Sequence, residues 1–176
     1  SDSSWPGYSD LSHRLMEGYT VFMAEAERQI SAPTHIFLQA GVGGLAGAAA
    51  AMARKLWGDV PVIVVVEPQH APALHGCIQA GDFVAAKGPG SAMGRLDCLE
   101  ASLIALKGLA KDADVFALIS EEEGQAGADY AAAHQMESTA SGAAGLAALL
   151  ASPAHRAALK LDANSHVLVI LSEGPE

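Results

Sequence analysis

Five consecutive β-branched residues, Val62-Ile63-Val64-Val65-Val66, constrain this chain more than any other stretch. A strand with one wet face alternates apolar and polar residues, whereas a run that is apolar at every position has both faces covered. Such strands lie in the middle of parallel sheets, where crossover helices pack above and below. The run ends at Glu67-Pro68. Ligands of open α/β sheets lie beyond the carboxyl ends of strands, so Glu67 is a candidate functional carboxylate, with a solvated strand end as the plainer reading.

The sequence on either side repeats the alternation that a parallel sheet needs. Leu11, Leu15, Tyr19, Phe22, Met23 and Ala26 recur at intervals of three and four, which predicts an amphipathic helix over about 9–30 with its stripe in the core, capped by Ser9 or Asp10. Strands are expected at 34–39, 114–119 and 165–171, the last one buried, and a weaker strand at 83–86. Helices are expected at 48–57, 71–80, 96–110 and 143–151, and a short one from Pro153 to about Leu161. Ser120 can cap a further helix whose first turn holds Glu121, Glu122 and Glu123, where carboxylates oppose the positive end of the helix dipole. The fold class expected is therefore α/β, a single domain with an open, mostly parallel, doubly wound sheet.

The first strand runs into Gln39-Ala40-Gly41-Val42-Gly43-Gly44-Leu45-Ala46-Gly47, and that cluster opens an alanine-rich helix. The first N–H groups of a helix have no intrahelical acceptor and sit at the positive end of the dipole, so an anion is a natural occupant. Glycine permits positive φ and close approach to the backbone. The motif lacks the Lys and Ser/Thr of a P-loop and misses the G-x-G-x-x-G spacing. Taken alone, it reads equally as an anion site or as a tight strand-to-helix turn.

Charge narrows the choice of partner. Ten Lys and Arg stand against twenty Asp and Glu, a formal net charge of −10, which opposes nucleic acid and leaves any anion to be held locally by backbone amides. No apolar run approaches the roughly 18 residues that cross a bilayer, and Ser1-Asp2-Ser3-Ser4-Trp5 has no signal-peptide pattern, so a cytoplasmic protein without a membrane partner is expected. Cys77 and Cys98 have no metal-binding spacing and are expected to be free thiols; His70 and His75, five apart, do not share a helix face. No metal site is expected.

Four strand-end features occur in one order: Gly41-Val42-Gly43-Gly44 with Gly47, Glu67-Pro68, Glu137 with Ser141-Gly142, and Ser172-Glu173-Gly174. The series resembles the C-terminal half of the fold-type II pyridoxal-phosphate enzymes, the group of the threonine and serine dehydratases, and within it is most similar to the diaminopropionate ammonia-lyases. Asp2, Trp5 and Gly7-Tyr8, with Met16-Glu17-Gly18-Tyr19, resemble the family's segment before the glycine loop, so the likeness covers essentially the whole chain.

The resemblance implies pyridoxal 5'-phosphate as cofactor, a small amino acid as substrate and a homodimeric enzyme. It implies that Gly41, Val42, Gly43, Gly44 and Leu45 hold the cofactor phosphate, that Ser172 meets the pyridine nitrogen, and that Glu67 and Glu137 flank the cofactor. Asp2 matches an aspartate that transfers a proton at the substrate Cα or recognises its amine. The implied reaction is elimination from 2,3-diaminopropionate to pyruvate and ammonia. The family's Schiff-base lysine lies in an N-terminal half that these residues do not match, and Lys55, Lys87, Lys107, Lys111 and Lys160 stand outside its motif. The chain is expected to be part of a longer enzyme and inactive by itself. Two other readings stay open: a threonine or serine dehydratase-like lyase, and a non-catalytic α/β fragment with an anion site.

Overall fold

The computed structural model describes residues 2–154 and 156–174; Ser1, and His155 within the short helix expected from Pro153, lie outside the described residues. Four strands, β1 (His35–Gln39), β2 (Val62–Pro68), β3 (Val115–Ile119) and β4 (Val167–Val169), form one sheet. Every pairing is parallel and the order is β3-β2-β1-β4. The β-branched run is indeed central: Ile63, Val64, Val65 and Val66 have no exposed surface.

Helices α1 (Asp10–Glu27), α2 (Gly44–Trp57), α3 (Ala73–Ala80), α4 (Leu103–Asp112), α5 (Glu121–Ala133), α6 (Ala144–Ala151) and α7 (Arg156–Leu159) cover both faces. Residues of alternating parity go to opposite sides, as the period of two requires. Ile36, Leu38, Ile63 and Val65 pack with Met23 of α1, with Ala46, Ala49, Ala50 and Ala53 of α2, and with Leu74 and Leu109. Phe37, Val64 and Val66 pack with Met93, Ile119, Leu159 and the alanines of α6. Small side chains on α2 and α6 bring their backbones close to the sheet, which is why the chain is rich in alanine. No helix among the described residues is long and apolar enough to cross a membrane.

The chain leaves β1 toward β2 and β3, then returns to lay β4 against the other side of β1. Beyond the carboxyl ends of β1 and β4 the topology reverses, and a crevice opens there. Opposite ends of the sequence meet at that point.

Several elements differ from expectation for identifiable reasons. Residues 83–86 are not a strand; Ala86 N–H bonds Leu99 C=O at 2.8 Å without a ladder, and Phe83 and Val84 are exposed. The helix expected from Leu96 begins at Leu103. Its start is fixed from outside, since Ser4 C=O and Ser4 Oγ accept the Leu103 and Ile104 N–H groups at 2.9 Å each. Helix α2 begins earlier than expected, inside the glycine cluster at Gly44. On α1 the apolar stripe is covered toward its C-terminal end alone: Met23 is fully enclosed, while Leu11 and Leu15 in the first turns face outward at 65 % and 40 % exposure. The last strand is short and half-buried rather than enclosed. Ser120 caps α5 as expected, in a reciprocal capping box with Glu123, and Cys77 and Cys98 are free thiols.

Candidate functional site

Beyond the carboxyl end of β1 the backbone turns through Gly41-Val42-Gly43 into α2. Ala40 N–H still bonds Val66 C=O at 2.8 Å, and the helical ladder begins with Gly47 N–H on Gly43 C=O at 2.8 Å. Between them, the N–H groups of Gly43, Gly44, Leu45 and Ala46 have no hydrogen-bond acceptor among the described residues. Four amide donors thus gather at the start of a fourteen-residue helix, the arrangement that holds an anion without a charged side chain.

Two glycines of the turn are required by space and conformation. Gly43 has φ +102°, and a Cβ there would stand 3.0 Å from a Leu74 methyl of α3. At Gly44 a Cβ would collide with the carboxylate of Asp2.

A cavity of about 300 Å³ lies over this turn, lined by Gly41–Leu45, Asp2, Tyr19, Gln39, Arg95, Leu96, Cys98, Ser172 and Glu173. Asp2 reaches it because residues 2–4 are strapped across the start of α4: Ser102 Oγ–H donates to Asp2 C=O at 2.7 Å and shares a hydrogen bond with Ser4 Oγ at 2.8 Å. Burial, with the Asp2 charge added, raises the Tyr19 hydroxyl pKa, and the Cys98 thiol is raised by burial and then by Asp2 and Asp97.

Ser172 reaches the cavity from the segment after β4. Its neighbour across the sheet is Gln39, the last residue of β1, whose two Nε2 hydrogens face three acceptors, Gly142 C=O at 3.0 Å, Ile170 C=O at 3.0 Å and Ser172 Oγ at 2.9 Å. Gly142 is pressed against the same segment, since a Cβ there would overlap Ser172 C=O.

Glu67 and Glu137 do not line this cavity. Glu67 is not a solvated strand end: it has no exposed surface, and its two carboxylate oxygens accept the Leu74 and His75 N–H groups at 2.7 Å each, at the start of α3. Burial outweighs these two bonds and pushes its pKa from 4.5 to about 7. Its connection to the glycine turn is indirect, through Leu74 packed on Gly43. Glu137 lies in the exposed stretch after α5. The cavity thus brings together Asp2, Gly41–Leu45 and Ser172 of the residues singled out from the sequence.

Gln39, Tyr19, Arg95 and Cys98 belong to the cavity without being expected there as site residues; Tyr19 belongs to the stripe expected in the core. Gln39 carried the one local signal, an amide ending an apolar strand immediately before the glycines. None of Lys55, Lys87, Lys107, Lys111 and Lys160 lines the cavity, and the described residues hold no cluster of His, Cys, Asp and Glu suited to a metal ion.

Residues 6–173 match the family described as pyridoxal-phosphate dependent enzyme. The diaminopropionate ammonia-lyase of Escherichia coli K12 is 30% identical, in an alignment covering 98% of this chain and 48% of that protein. A crystal structure of the Escherichia coli diaminopropionate ammonia lyase, in complex with an aminoacrylate-PLP azomethine reaction intermediate, has a TM-score of 0.88 and 28% identity over 98% of this chain and 48% of that one. The processed form of threonine deaminase isoform 2 from Solanum lycopersicum shares the fold, with a TM-score of 0.80 at 18% identity over 92% of this chain and 46% of that one. The chain spans about half the length of these ammonia-lyases.

Proposed function

We propose, for a chain that belongs to the pyridoxal-phosphate dependent enzyme family, that its residues form the phosphate and ring-nitrogen side of an ammonia-lyase site acting on 2,3-diaminopropionate. The observation that carries this reading is one cavity shared by the unpaired amides of the glycine turn, the Ser172 hydroxyl and the Asp2 carboxylate. The cofactor fits the groups present. The glycine turn is a cradle that a Cβ at Gly41 or Gly44 would crowd, against Arg95, Leu96 and Cys98 or against Asp2 of the same cavity, its amides suit a phosphate, and a neutral hydroxyl suits a pyridine nitrogen.

When bound, pyridoxal phosphate supplies an electron sink for charge developing at the substrate Cα. The chain's own residues then have separable tasks. The amides of 43–46 anchor the phosphate at the positive end of α2. Ser172 offers a hydrogen bond rather than a full charge at the ring nitrogen, which favours elimination over transamination. Asp2, held above Gly44, moves a proton at the substrate Cα or receives one of its two amino groups. The products are pyruvate and two molecules of ammonia, formed with one water.

The Schiff-base lysine that such chemistry requires is not among the residues around the cavity, so catalysis belongs to a protein that pairs these residues with a lysine-bearing segment, expected as a homodimer. That protein should release pyruvate from 2,3-diaminopropionate in a coupled lactate dehydrogenase assay. Turnover of threonine or serine with none of diaminopropionate assigns it instead to the dehydratases. The missing lysine also favours a second reading, in which the isolated chain keeps an anion site and no activity. A lysine-linked cofactor adduct found by mass spectrometry after borohydride reduction of the 176-residue chain would overturn that one.

A further inference from the structure

Gln39 is 96 % enclosed, and its amide is half satisfied in an uneven way. Nε2 faces three acceptors, whereas Oε1 is buried without a hydrogen-bond partner, directed at the backbone of Gly145. Turning the amide over does not help, because Oε1 would then face the carbonyl oxygens of Gly142 and Ile170. An orphaned buried acceptor destabilises a fold, and an apolar side chain of similar size avoids that cost. The residue is therefore better explained by what its N–H groups do than by stability.

One of those N–H groups fixes Ser172. A hydroxyl has a single hydrogen; with Gln39 donating to Oγ, that hydrogen is free to point into the cavity lined by Gly41–Leu45. The second Nε2 hydrogen is shared between the carbonyls of Gly142 and Ile170, the alternative acceptors nearby, and Gly142 C=O also accepts the Ser172 N–H at 3.3 Å. We propose that Gln39 is a positioning residue that holds the Ser172 hydroxyl as a hydrogen-bond donor, so that the cavity accepts the pyridine ring with its nitrogen unprotonated. This rests on the cavity being the pyridoxal-phosphate site.

Replacing Gln39 by methionine keeps the volume and removes both N–H groups. Ser172 is then drawn to donate to Gly142 or Ile170, and its oxygen lone pairs face the ring, which favours a protonated nitrogen. The ionisable groups lining the cavity, Asp2, Tyr19, Arg95, Cys98 and Glu173, are the same in every variant compared, so a change in ring protonation between them comes from the hydroxyl.

The test uses 4-deoxypyridoxine 5'-phosphate, which has no aldehyde and needs no lysine, labelled with nitrogen-15 in the ring. Its affinity and the pH titration of its ring nitrogen are measured on the purified wild-type protein and on Gln39→Met, Ser172→Ala and the double variant. In the wild type the bound nitrogen should be unprotonated at neutral pH. Gln39→Met should raise the bound ring's pKa and weaken binding by roughly five- to tenfold, the loss of one hydrogen bond. On the Ser172→Ala background the same substitution should change neither quantity, as expected when one residue acts only through the other.

A pyridinium in the wild type overturns the inference, and that measurement requires no variant to fold. Equal effects of Gln39→Met with and without Ser172 also overturn it, since packing alone then accounts for the residue. Wild-type protein that fails to bind the probe overturns the cofactor reading itself and this inference with it.

Discussion

Glu67 should make the fold less stable as the pH rises from 4.5 to 8. Its pKa, about 7 in the folded chain against 4.5 for a free side chain, is raised by burial. The folded state therefore binds the proton more tightly than the unfolded state. The resulting stability is fully present below pH 4.5 and is lost as the pH passes through 7. A difference between 4.5 and about 7 corresponds to about 3 kcal/mol at 1.36 kcal/mol per pH unit, enough to move a urea midpoint by about 1–2 M. Net charge complicates a direct measurement, because a chain at −10 also loses stability through self-repulsion as its carboxylates ionise.

Comparison with Glu67→Gln removes that background. The amide is neutral at every pH, and its NH2 faces either the Leu74 or the His75 N–H, so one of the two 2.7 Å bonds is lost. Relative to the wild type at pH 4.5, where Glu67 is protonated in the fold, this lowers the variant by about 1–3 kcal/mol, and the variant has no titration at this position. Urea unfolding followed by circular dichroism at intervals from pH 4.5 to 8 should show the wild type falling toward the variant by about 3 kcal/mol. Two curves that stay parallel refute the argument that burial dominates over the two backbone bonds.

Three further substitutions probe the rest of the site and fold. Gly43→Ala places a side chain at φ +102° against Leu74 and should lower stability by about 1–3 kcal/mol in thermal unfolding. It should also weaken binding of 4-deoxypyridoxine 5'-phosphate. Gly142→Ala drives a methyl into Ser172 C=O and should displace Ser172, so the probe binds more weakly by titration calorimetry than to the wild type. Ser120→Ala breaks the capping box of α5 and should cost about 1 kcal/mol, read by urea unfolding, while probe affinity stays unchanged because Ser120 lies outside the cavity.

What the sequence made legible is mostly local. The unbroken run at Val62 to Val66 specifies a central parallel strand because its information lies within five residues. The glycines at 41–44 announce a strand-to-helix turn, and Ser120 with Glu123 announces a helix start, for the same reason. Features set by distant parts of the chain were not legible. The start of α4 at Leu103 depends on Ser4, one hundred residues earlier. Gln39 acquires its role from Gly142, Ile170 and Ser172, and Glu67 is enclosed only once α3 folds back over the end of β2. Residues 83–86 have strand composition and no neighbouring strand to pair with, and Leu11 and Leu15 lie on a helix with more apolar surface than its neighbours cover. Glu137 shares a sequence pattern with the family but stands in an exposed stretch outside the cavity.

At the cavity end of the seam between β1 and β4 the Gln39 amide joins positions 133 apart in the chain, and the ladder behind it pairs only His35, Ile36 and Phe37 with a β4 strand of three half-buried residues. Loop closure of that length is entropically expensive and the local reward is small, so β4 belongs to the part of the fold that opens first. Transient opening there separates the two walls of the cavity while β2 and its alanine-rich helices stay packed. A ligand that bridges the glycine turn and Ser172 is thus a clasp across the weakest seam: its binding energy should appear as slowed hydrogen exchange at Val167–Val169, far from the amides that hold its phosphate.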